Sequence, residues 1–378
     1  MEFHSTNPNS PPAAPALRVA QVVDSLAAGG AERFAVNLAN TLADDGHESH
    51  LCSTRAEGPL AAIVRPGVGR LRLNRSRSLD PLAFIAFARY LTRHRIQILH
   101  AHSSAVFISL IGAVSSSAAP RIVWHLHQGK LAQNSSPPLL MRLASRRVAA
   151  VIAVSRPLAD WAIEKLQMPP QRVRYIANYV RMPRFSRTDA QLPGTSGFRI
   201  VCVANLRPEK DTLNLLAAMT QVLRQVPQAH LLLVGGCGDQ AYGDRVRAEV
   251  MTRQMTQAVT FLGPRDDVPH LLQSCDVAVI SSAAEGFPLA ILEYGAAGLA
   301  TVSTRVGACA EILENGRVGL VVPPSEPDEL AAAIVTLLRS RDLRERLGAA
   351  FKSRVEREYG EQRIATEITE VYRRALSA

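Results

Sequence analysis

The stretch DVAVISSAAEGFPLAILE (276–293) holds an apolar run, a turn and a helix start in that order. DVAVI (276–280) reads as a buried strand, residues 284–287 as its exit loop, and Pro288 as the first helical residue. Glu285 then lies at the carboxyl end of a strand, and Glu293 points from the helix that follows. In an open α/β sheet that edge is where ligands bind. A helix N-terminus there offers free N–H groups and the positive end of a dipole to an anion. Carboxylates so placed accept hydrogen bonds from sugar hydroxyls while backbone amides hold a diphosphate. Acidic residues also favour helix starts for structural reasons alone, so the pair by itself leaves both readings open.

Outward from this stretch, short β-rich runs alternate with helical patterns, twice over. The first half offers strands at 18–23, 49–54, 70–73, 96–101, 122–126 and 149–154, with helices at 31–44, 80–94, 104–117 and 156–166. The second half offers strands at 198–206, 230–236, 258–262, 276–280, 300–304 and 319–323. Its helices fall at 209–226, 241–256, 288–298, 326–340 and 342–355. This alternation predicts an α/β chain of two Rossmann-like, doubly wound parallel sheets covered by helices on both faces. The polar, Pro- and Gly-containing segment 182–197 reads as the linker. The domains then run 17–185 and 186–356, with a last helical pattern in 357–378 placed to pack back on the first. Residues 1–16, rich in Pro, Asn and Ser, have neither the basic start nor the apolar stretch of a signal peptide. They read as a disordered tail on a cytoplasmic protein.

A 47% hydrophobic content over 378 residues supports two cores, and no apolar run reaches the ~18–20 residues that span a bilayer. Cys52, Cys202, Cys237, Cys275 and Cys309 form no CxxC pair, so they read as small buried apolar residues rather than zinc ligands or disulfides. The net charge of +10 is uneven: residues 1–185 carry 22 Lys and Arg against 10 Asp and Glu, residues 186–378 carry 21 against 23. In the basic half, Arg70, Arg72, Arg75 and Arg77 precede an amphipathic helix ending in Arg89, Arg93, His94 and Arg95. Such a surface suits anionic lipid headgroups or a phosphate-bearing substrate, and equally a helix covering the sheet with cations at its C-terminus. Nucleic acid is not expected as a partner, because aromatic residues make up only 5% of the chain and do not interleave with the cations.

Four more strand ends carry chemistry. SLAAGGAERF (25–34) puts Gly29 and Gly30 before a helix; it is neither GxGxxG with its ribose-binding acid nor a Walker lysine loop, which disfavours a dinucleotide oxidoreductase. NLRPEKD (205–211) puts Arg207 and Lys210 three positions apart at a helix start, where cations are otherwise unwelcome. Together they can neutralise a pyrophosphate without a metal. LLLVGGCGD (231–239) clears space over a strand end with Gly235, Gly236 and Gly238. HLHQG (125–129) sets His125 and His127 on one strand face; with no third ligand nearby in sequence, a hydrogen-bonding role for one and a structural role for the other is expected rather than a metal. No DxD motif is present, since Asp44-Asp45 and Asp266-Asp267 are adjacent pairs.

In one order over nearly the whole chain, GGAER (29–33), His127, AVS (153–155), NLRPEK (205–210), VGGCGD (234–239), FLG (261–263), EGFPLAILE (285–293), VGACAEI (306–312) and a terminal helix with Tyr372 make the sequence similar to the retaining glycosyltransferases of family 4, which have the two-domain GT-B architecture. EGFPLAILE with NLRPEK is the specific part. The resemblance implies an acceptor-side first domain and a donor-nucleotide-binding second domain. It further implies that Arg207 and Lys210 bind the donor diphosphate, that Glu293 binds the ribose hydroxyls, and that Glu285 with the amides around Phe287, Pro288 and Leu289 binds the transferred sugar. His127 would touch the sugar's 6-position and Gly30 would line the cleft, with Gly29, Gly235, Gly236 and Gly263 beside the donor. It implies hexosyl transfer from a UDP- or GDP-linked sugar to a lipid-linked or glycan acceptor in cell-surface polysaccharide synthesis. No metal or resident cofactor is expected, and the donor phosphate itself takes the acceptor's proton. Two departures stand out: the usual GDGP loop reads GGCGD, and Tyr294 follows Glu293 where the family has small residues. A sugar-nucleotide epimerase of the same fold, or a non-catalytic nucleotide-sugar-binding subunit, is the alternative.

Overall fold

A computed structural model describes residues 15–27, 29–127, 137–181 and 192–377. The tail read over 1–16 and the linker read over 182–197 fall largely outside these residues. The first sheet contains β1 (Arg18–Ser25), β2 (Glu48–Ala56), β3 (Gly69–Arg72), β4 (Ile98–His102), β5 (Arg121–Leu126), β6 (Ala150–Ala153) and β7 (Val173–Tyr175), in the order β3-β2-β1-β4-β5-β6-β7. The second contains β8 (Arg199–Val203), β9 (His230–Val234), β10 (Val259–Gly263), β11 (Val277–Ile280), β12 (Ala300–Thr304) and β13 (Leu320–Val322), in the order β10-β9-β8-β11-β12-β13. Every pairing is parallel. The chain is thus an α/β protein of two doubly wound sheets. In each sheet the strand order reverses once, between β1 and β4 and between β8 and β11, and such a reversal opens a crevice at the carboxyl edge.

Helices cover both faces because the strands are apolar on both. On the first sheet α2 (Pro81–Arg93), α3 (Val106–Ser115) and α5 (Arg156–Glu164) bury Phe87, Val106 and Trp161 with Trp124. The opposite face takes α1 (Gly30–Asp44), through Phe34 and Leu38 on Val19 and Val123. The second sheet is covered on one side by α6 (Thr212–Gln225), α7 (Gln240–Thr252) and α11 (Pro327–Arg339), and on the other by α8 (Val268–Leu272), α9 (Leu289–Ala296), α10 (Cys309–Ile312) and α12 (Arg341–Glu358). The last helix, α13 (Glu361–Ser377), leaves the second sheet and buries Ile364, Ile368 and Tyr372 beside Phe34 on the first. No helix among the described residues is long and apolar enough to cross a membrane.

Capping explains several boundaries. Asp80, Asp211 and Asp239 each accept a hydrogen bond from the backbone N–H three residues on, at 3.1, 3.3 and 2.9 Å, and so start α2, α6 and α7. The three-residue β7, the seven-residue α4 (Leu139–Ser145) and the four-residue α10 escape the sequence reading. All are too short to show a period. Pro288 is the cap of α9 and not its first residue. Cys237 is exposed, in contrast to the four buried cysteines, because it sits in the loop after β9.

Candidate active site

The two carboxyl edges face each other across a cleft of about 1450 Å³ lined from both domains. Arg207, Lys210, Glu285, Glu293, Gly29, Gly30, Gly235, Gly236, Phe287, Pro288, Leu289 and His127 all reach its wall. Gly263 stands behind it at φ +69, its carbonyl accepting the N–H of Gly235 at 2.9 Å.

The loops after β8 and β11 are tied to each other before any side chain is considered. The Glu209 carbonyl accepts from the N–H groups of Ala283 at 3.0 Å and Ala284 at 3.3 Å, and the Ser281 hydroxyl donates to the Lys210 carbonyl at 3.0 Å. This brings the Lys210 Nζ to 2.6 Å from Glu285 Oε1, an oxygen that also accepts from the Ser282 hydroxyl at 2.7 Å. The Glu285 side chain is only 9% exposed and that of Lys210 25%. Both ends of this charge-assisted bond are therefore held rather than wandering in solvent.

Both departures from the family pattern have physical reasons. A Cβ on Gly238 would stand 2.4 Å from Arg207 Nε, so the glycine of GGCGD is what lets the guanidinium lie over that loop. Gly235 has φ +146, and a Cβ there would meet the Ala204 carbonyl oxygen at 2.2 Å; only glycine fits. The Tyr294 side chain turns away from the cleft. It is fully buried in the second domain, and its hydroxyl accepts the Val203 N–H at 2.6 Å, which holds the end of β8.

Charges act on each other across the cleft in two places that the sequence does not reveal. Burial pushes the Glu32 carboxyl up, with Arg207 of the other domain pulling it back. Burial likewise raises Glu293, opposed by Arg33 of α1. Glu32 and Arg33 lie inside the GGAER motif, so α1 presents one charge of each sign to the second domain.

The expectation for the histidines is corrected. His125 and His127 do have neighbours of their own kind, because β4 pairs with β5 in the register His102↔His125. Alternate residues on two adjacent strands place His100, His102, His125 and His127 on one face, and ring nitrogens of His100, His102 and His125 come within 4.8 Å of one another. The rings are hydrogen-bonded to one another. His100 Nε2 lies 3.0 Å from His125 Nδ1 with the rings 5° apart, and His102 Nδ1 lies 2.9 Å from His127 Nε2 with the rings 23° apart. Separations this short between near-parallel rings mean edge-to-edge pairs, in which an N–H of one ring points at the lone pair of the other.

A protein amide fixes the proton positions. Gln21 Oε1 accepts from His102 Nε2 at 2.8 Å, which leaves His102 Nδ1 to accept from His127 Nε2. His127, its pKa pushed by burial to about 3, is neutral, lines the cleft and keeps its other nitrogen as a bare lone pair. Tyr372 completes the network from α13, its hydroxyl 2.5 Å from His100 Nδ1 and 3.3 Å from Gln21 Nε2. Tyr372→Phe strands two buried polar groups and is expected to cost about 1–3 kcal/mol, seen as a lower urea midpoint at unchanged slope; an unchanged midpoint refutes the network.

Comparison with known proteins agrees with this geometry. Residues 28–182 match the family described as Glycosyltransferase Family 4, and residues 197–340 match the family described as Glycosyl transferases group 1. The N-acetyl-alpha-D-glucosaminyl L-malate synthase of Bacillus anthracis is 24% identical over 91% of this chain and 93% of its own. The phosphatidyl-myo-inositol mannosyltransferase of Mycobacterium tuberculosis is 29% identical over 75% of each chain. The crystal structure of Anabaena HepE in complex with UDP and glucose superposes with a TM-score of 0.79 at 22% identity, covering 94% of this chain and 98% of that one. With matched domains over both halves and the GT-B fold between them, the chain belongs to the family 4 glycosyltransferases.

Proposed function

We propose that the protein is a retaining, metal-independent hexosyltransferase. In this reading it moves a sugar from a UDP- or GDP-linked donor to a lipid-linked or glycan acceptor in cell-surface polysaccharide synthesis, working in the cytoplasm at the inner face of the membrane. The observation that carries the reading is the Lys210–Glu285 pair at 2.6 Å beside the start of α9, whose cap residue Pro288 offers no side-chain acceptor to the first amides. A diphosphate and its sugar are covalent neighbours, so a cation for one and a carboxylate for the other must also be neighbours. Arg207 and Lys210 hold the diphosphate, Glu285 and the amides of Phe287 to Leu289 the sugar, and Glu293 the ribose. His127 accepts a sugar hydroxyl and Gly30 leaves room for the acceptor. The named activities of the two relatives, a glucosaminyl and a mannosyl transfer, and the UDP and glucose in the fold neighbour support the donor class.

When the bond from the anomeric carbon to the phosphate oxygen breaks, negative charge grows on the diphosphate. Preorganised cations and the α9 N-terminus stabilise it in the place a metal would otherwise occupy. The acceptor oxygen bonds to the same face of the anomeric carbon, and its proton goes to the departing phosphate oxygen. No side chain is given that proton.

A thermal-shift panel of UDP, GDP and their hexose conjugates tests donor class and metal need together. One nucleotide series is expected to stabilise the protein by about 2.7 kcal/mol at 100 times its Kd, with no change on adding EDTA. Indifference to every activated sugar refutes the donor reading, and an EDTA-sensitive shift refutes metal independence. Release of nucleoside diphosphate only with acceptor present separates transfer from epimerisation.

A further inference from the structure

Gln21 and His102 touch neither diphosphate nor sugar in the proposed arrangement, yet they decide what His127 shows to the cleft. Gln21 is buried on β1, and the two ends of its amide serve different partners. Its Nε2 donates to the Tyr372 hydroxyl at 3.3 Å, and its Oε1 accepts from His102 Nε2 at 2.8 Å. The tyrosine sets the direction. Its oxygen lies 2.5 Å from His100 Nδ1, within the range of an O–H donor and below that of an N–H donor, so the hydroxyl donates to His100 and keeps a lone pair for the Gln21 amide. From there each bond is forced. His102 Nε2 carries its proton toward Gln21, His102 Nδ1 is left bare, and His127 donates to it through Nε2 at 2.9 Å. One hydroxyl on α13 thereby fixes the tautomer of an imidazole at the cleft wall, with Gln21 and His102 as the relay.

What His127 shows is a lone pair, and nearby acids repeat its sign. Glu285 belongs to the same cleft, and Asp24 at the end of β1 lines it with both oxygens accepting, from Thr54 at 2.7 Å and Ser104 at 2.5 Å. The cations of the wall are already answered. Lys210 is paired with Glu285, Arg65 and Arg181 with Asp44, and Arg265 with Asp267. Arg33 acts on Glu293 across the cleft, and Arg207 lies over the GGCGD loop, where the diphosphate is placed. Among the described residues of the wall, no cation is left to neutralise a negative group on the sugar. His127 does not become one either, since burial holds its pKa at about 3.

We propose that Gln21 and His102 are positioning residues that hold His127 as a hydroxyl acceptor, and that this polarity confines the transferred sugar to uncharged hexosyl and N-acetylhexosaminyl units and refuses uronosyl units. The donor choice rests on the reading of His127 as a sugar contact; the relay rests on ring geometry alone. A sugar hydroxyl gives its proton to the bare Nδ1, whereas a carboxylate sets further lone pairs against it, with Glu285 in the same cleft. Gln21→Glu inverts the relay with the fewest atoms changed. A carboxylate beside His102 Nε2 draws a second proton from solvent onto that ring, so His102 Nδ1 becomes a donor. His127 then accepts through Nε2 and carries its single proton on Nδ1, where the cleft meets an N–H instead of a lone pair.

The test is calorimetry of the full chain with UDP-glucose, UDP-galactose, UDP-N-acetylglucosamine and GDP-mannose, each beside the uronate of the same sugar. The preferred donor is expected to bind at least about 30-fold more tightly than its uronate. In Gln21→Glu that ratio is expected to fall below about fivefold, while the affinity for the nucleoside diphosphate alone stays within about twofold. His102→Leu is expected to lose the discrimination as well, and His102→Asn, whose amide oxygen keeps an acceptor near the Nδ1 position, to retain most of it. Proton–nitrogen correlation spectra of the imidazoles, with His127 identified by the signals missing in His127→Asn, read the tautomer without any donor. The proton is expected on Nε2 in the wild type and on Nδ1 in Gln21→Glu. A wild type that binds both members of every pair within about threefold, a ratio unmoved by Gln21→Glu in a variant that melts normally, or a wild-type His127 with its proton on Nδ1 would each overturn the proposal. A wild type that binds no nucleotide sugar but keeps the proton on Nε2 leaves the relay standing and removes the donor reading instead.

Discussion

In the Lys210→Ala variant, turnover at saturating donor is expected to fall at least about 100-fold, the loss that follows when one preorganised charge-stabilising group is removed from a transition state. The expectation rests on how the ammonium is held. The Lys210 carbonyl is fixed by Ser281, its turn by the Ala283 and Ala284 amides, and its Nζ by Glu285 at 2.6 Å, so little reorganisation remains when charge appears on the leaving phosphate. Nucleotide binding should weaken less than turnover, because the charge is larger in the transition state than in the bound donor. Lys210→Arg should fall between, its planar fork replacing a point charge in a site only 25% exposed. Loss of the lysine leaves Glu285 with the Ser282 hydroxyl as its remaining partner of this pair. The unfolding midpoint must therefore be followed alongside the kinetics, and Glu285→Gln in the same background restores a neutral site. Turnover within about fivefold of wild type, in a variant that melts normally, would remove Lys210 from the chemistry and favour a binding subunit.

Much of this site could be read from spacing alone, and the limit of that reading is instructive. An apolar run followed by EGFPLAILE fixes a strand end and a helix start within a few residues, because both are local events. Asp80, Asp211 and Asp239 announce their helices for the same reason. What spacing misses is whatever depends on which strands are neighbours. His100 and His102 occur in ILHAH and His125 and His127 in WHLHQ, two HxH patterns at the ends of predicted strands. Nothing local says that β4 and β5 are adjacent and in a register that aligns them. A doubly wound strand order supplies that information, so the repeated pattern was the available signal. The same holds for Arg33 and Glu32, whose partners lie in the other domain. The exposed position of Cys237 also depends on loop geometry that composition does not carry.

Acid should unfold this protein through its imidazoles. His100, His102 and His125 are buried, and burial, with repulsion from neighbouring imidazoles second, pushes His100 down to about 3 and the other two well below their ordinary value. The folded chain thus keeps them neutral, while the unfolded chain protonates each near pH 6.5. With folded values lying below unfolded ones, the unfolded state binds more protons over this interval. Stability is full above about pH 6.5 and falls as the pH drops toward about 3. Each group contributes about 1.4 kcal/mol per pH unit, so three of them remove about 4 kcal/mol by pH 5.5, a large part of a typical 5–15 kcal/mol. Carboxylates held low by arginines, such as Asp44 beside Arg181 and Asp267 beside Arg265, add to the loss only nearer their own range. The carboxyls of Glu32 and Glu293, raised by burial, act with the opposite sign and offset part of it as the pH falls toward the ordinary carboxylate range. Urea unfolding between pH 7.5 and 5.0 measures the slope. His125→Phe removes one titrating group, and with it a ring whose Nε2 has no partner among the described residues. It is expected to lower the slope below pH 6 by about one proton. A wild-type stability that stays level from pH 7.5 to 5.0 would mean that the array takes up protons in the folded state, and would remove the neutral His127 on which its role as a hydroxyl acceptor depends.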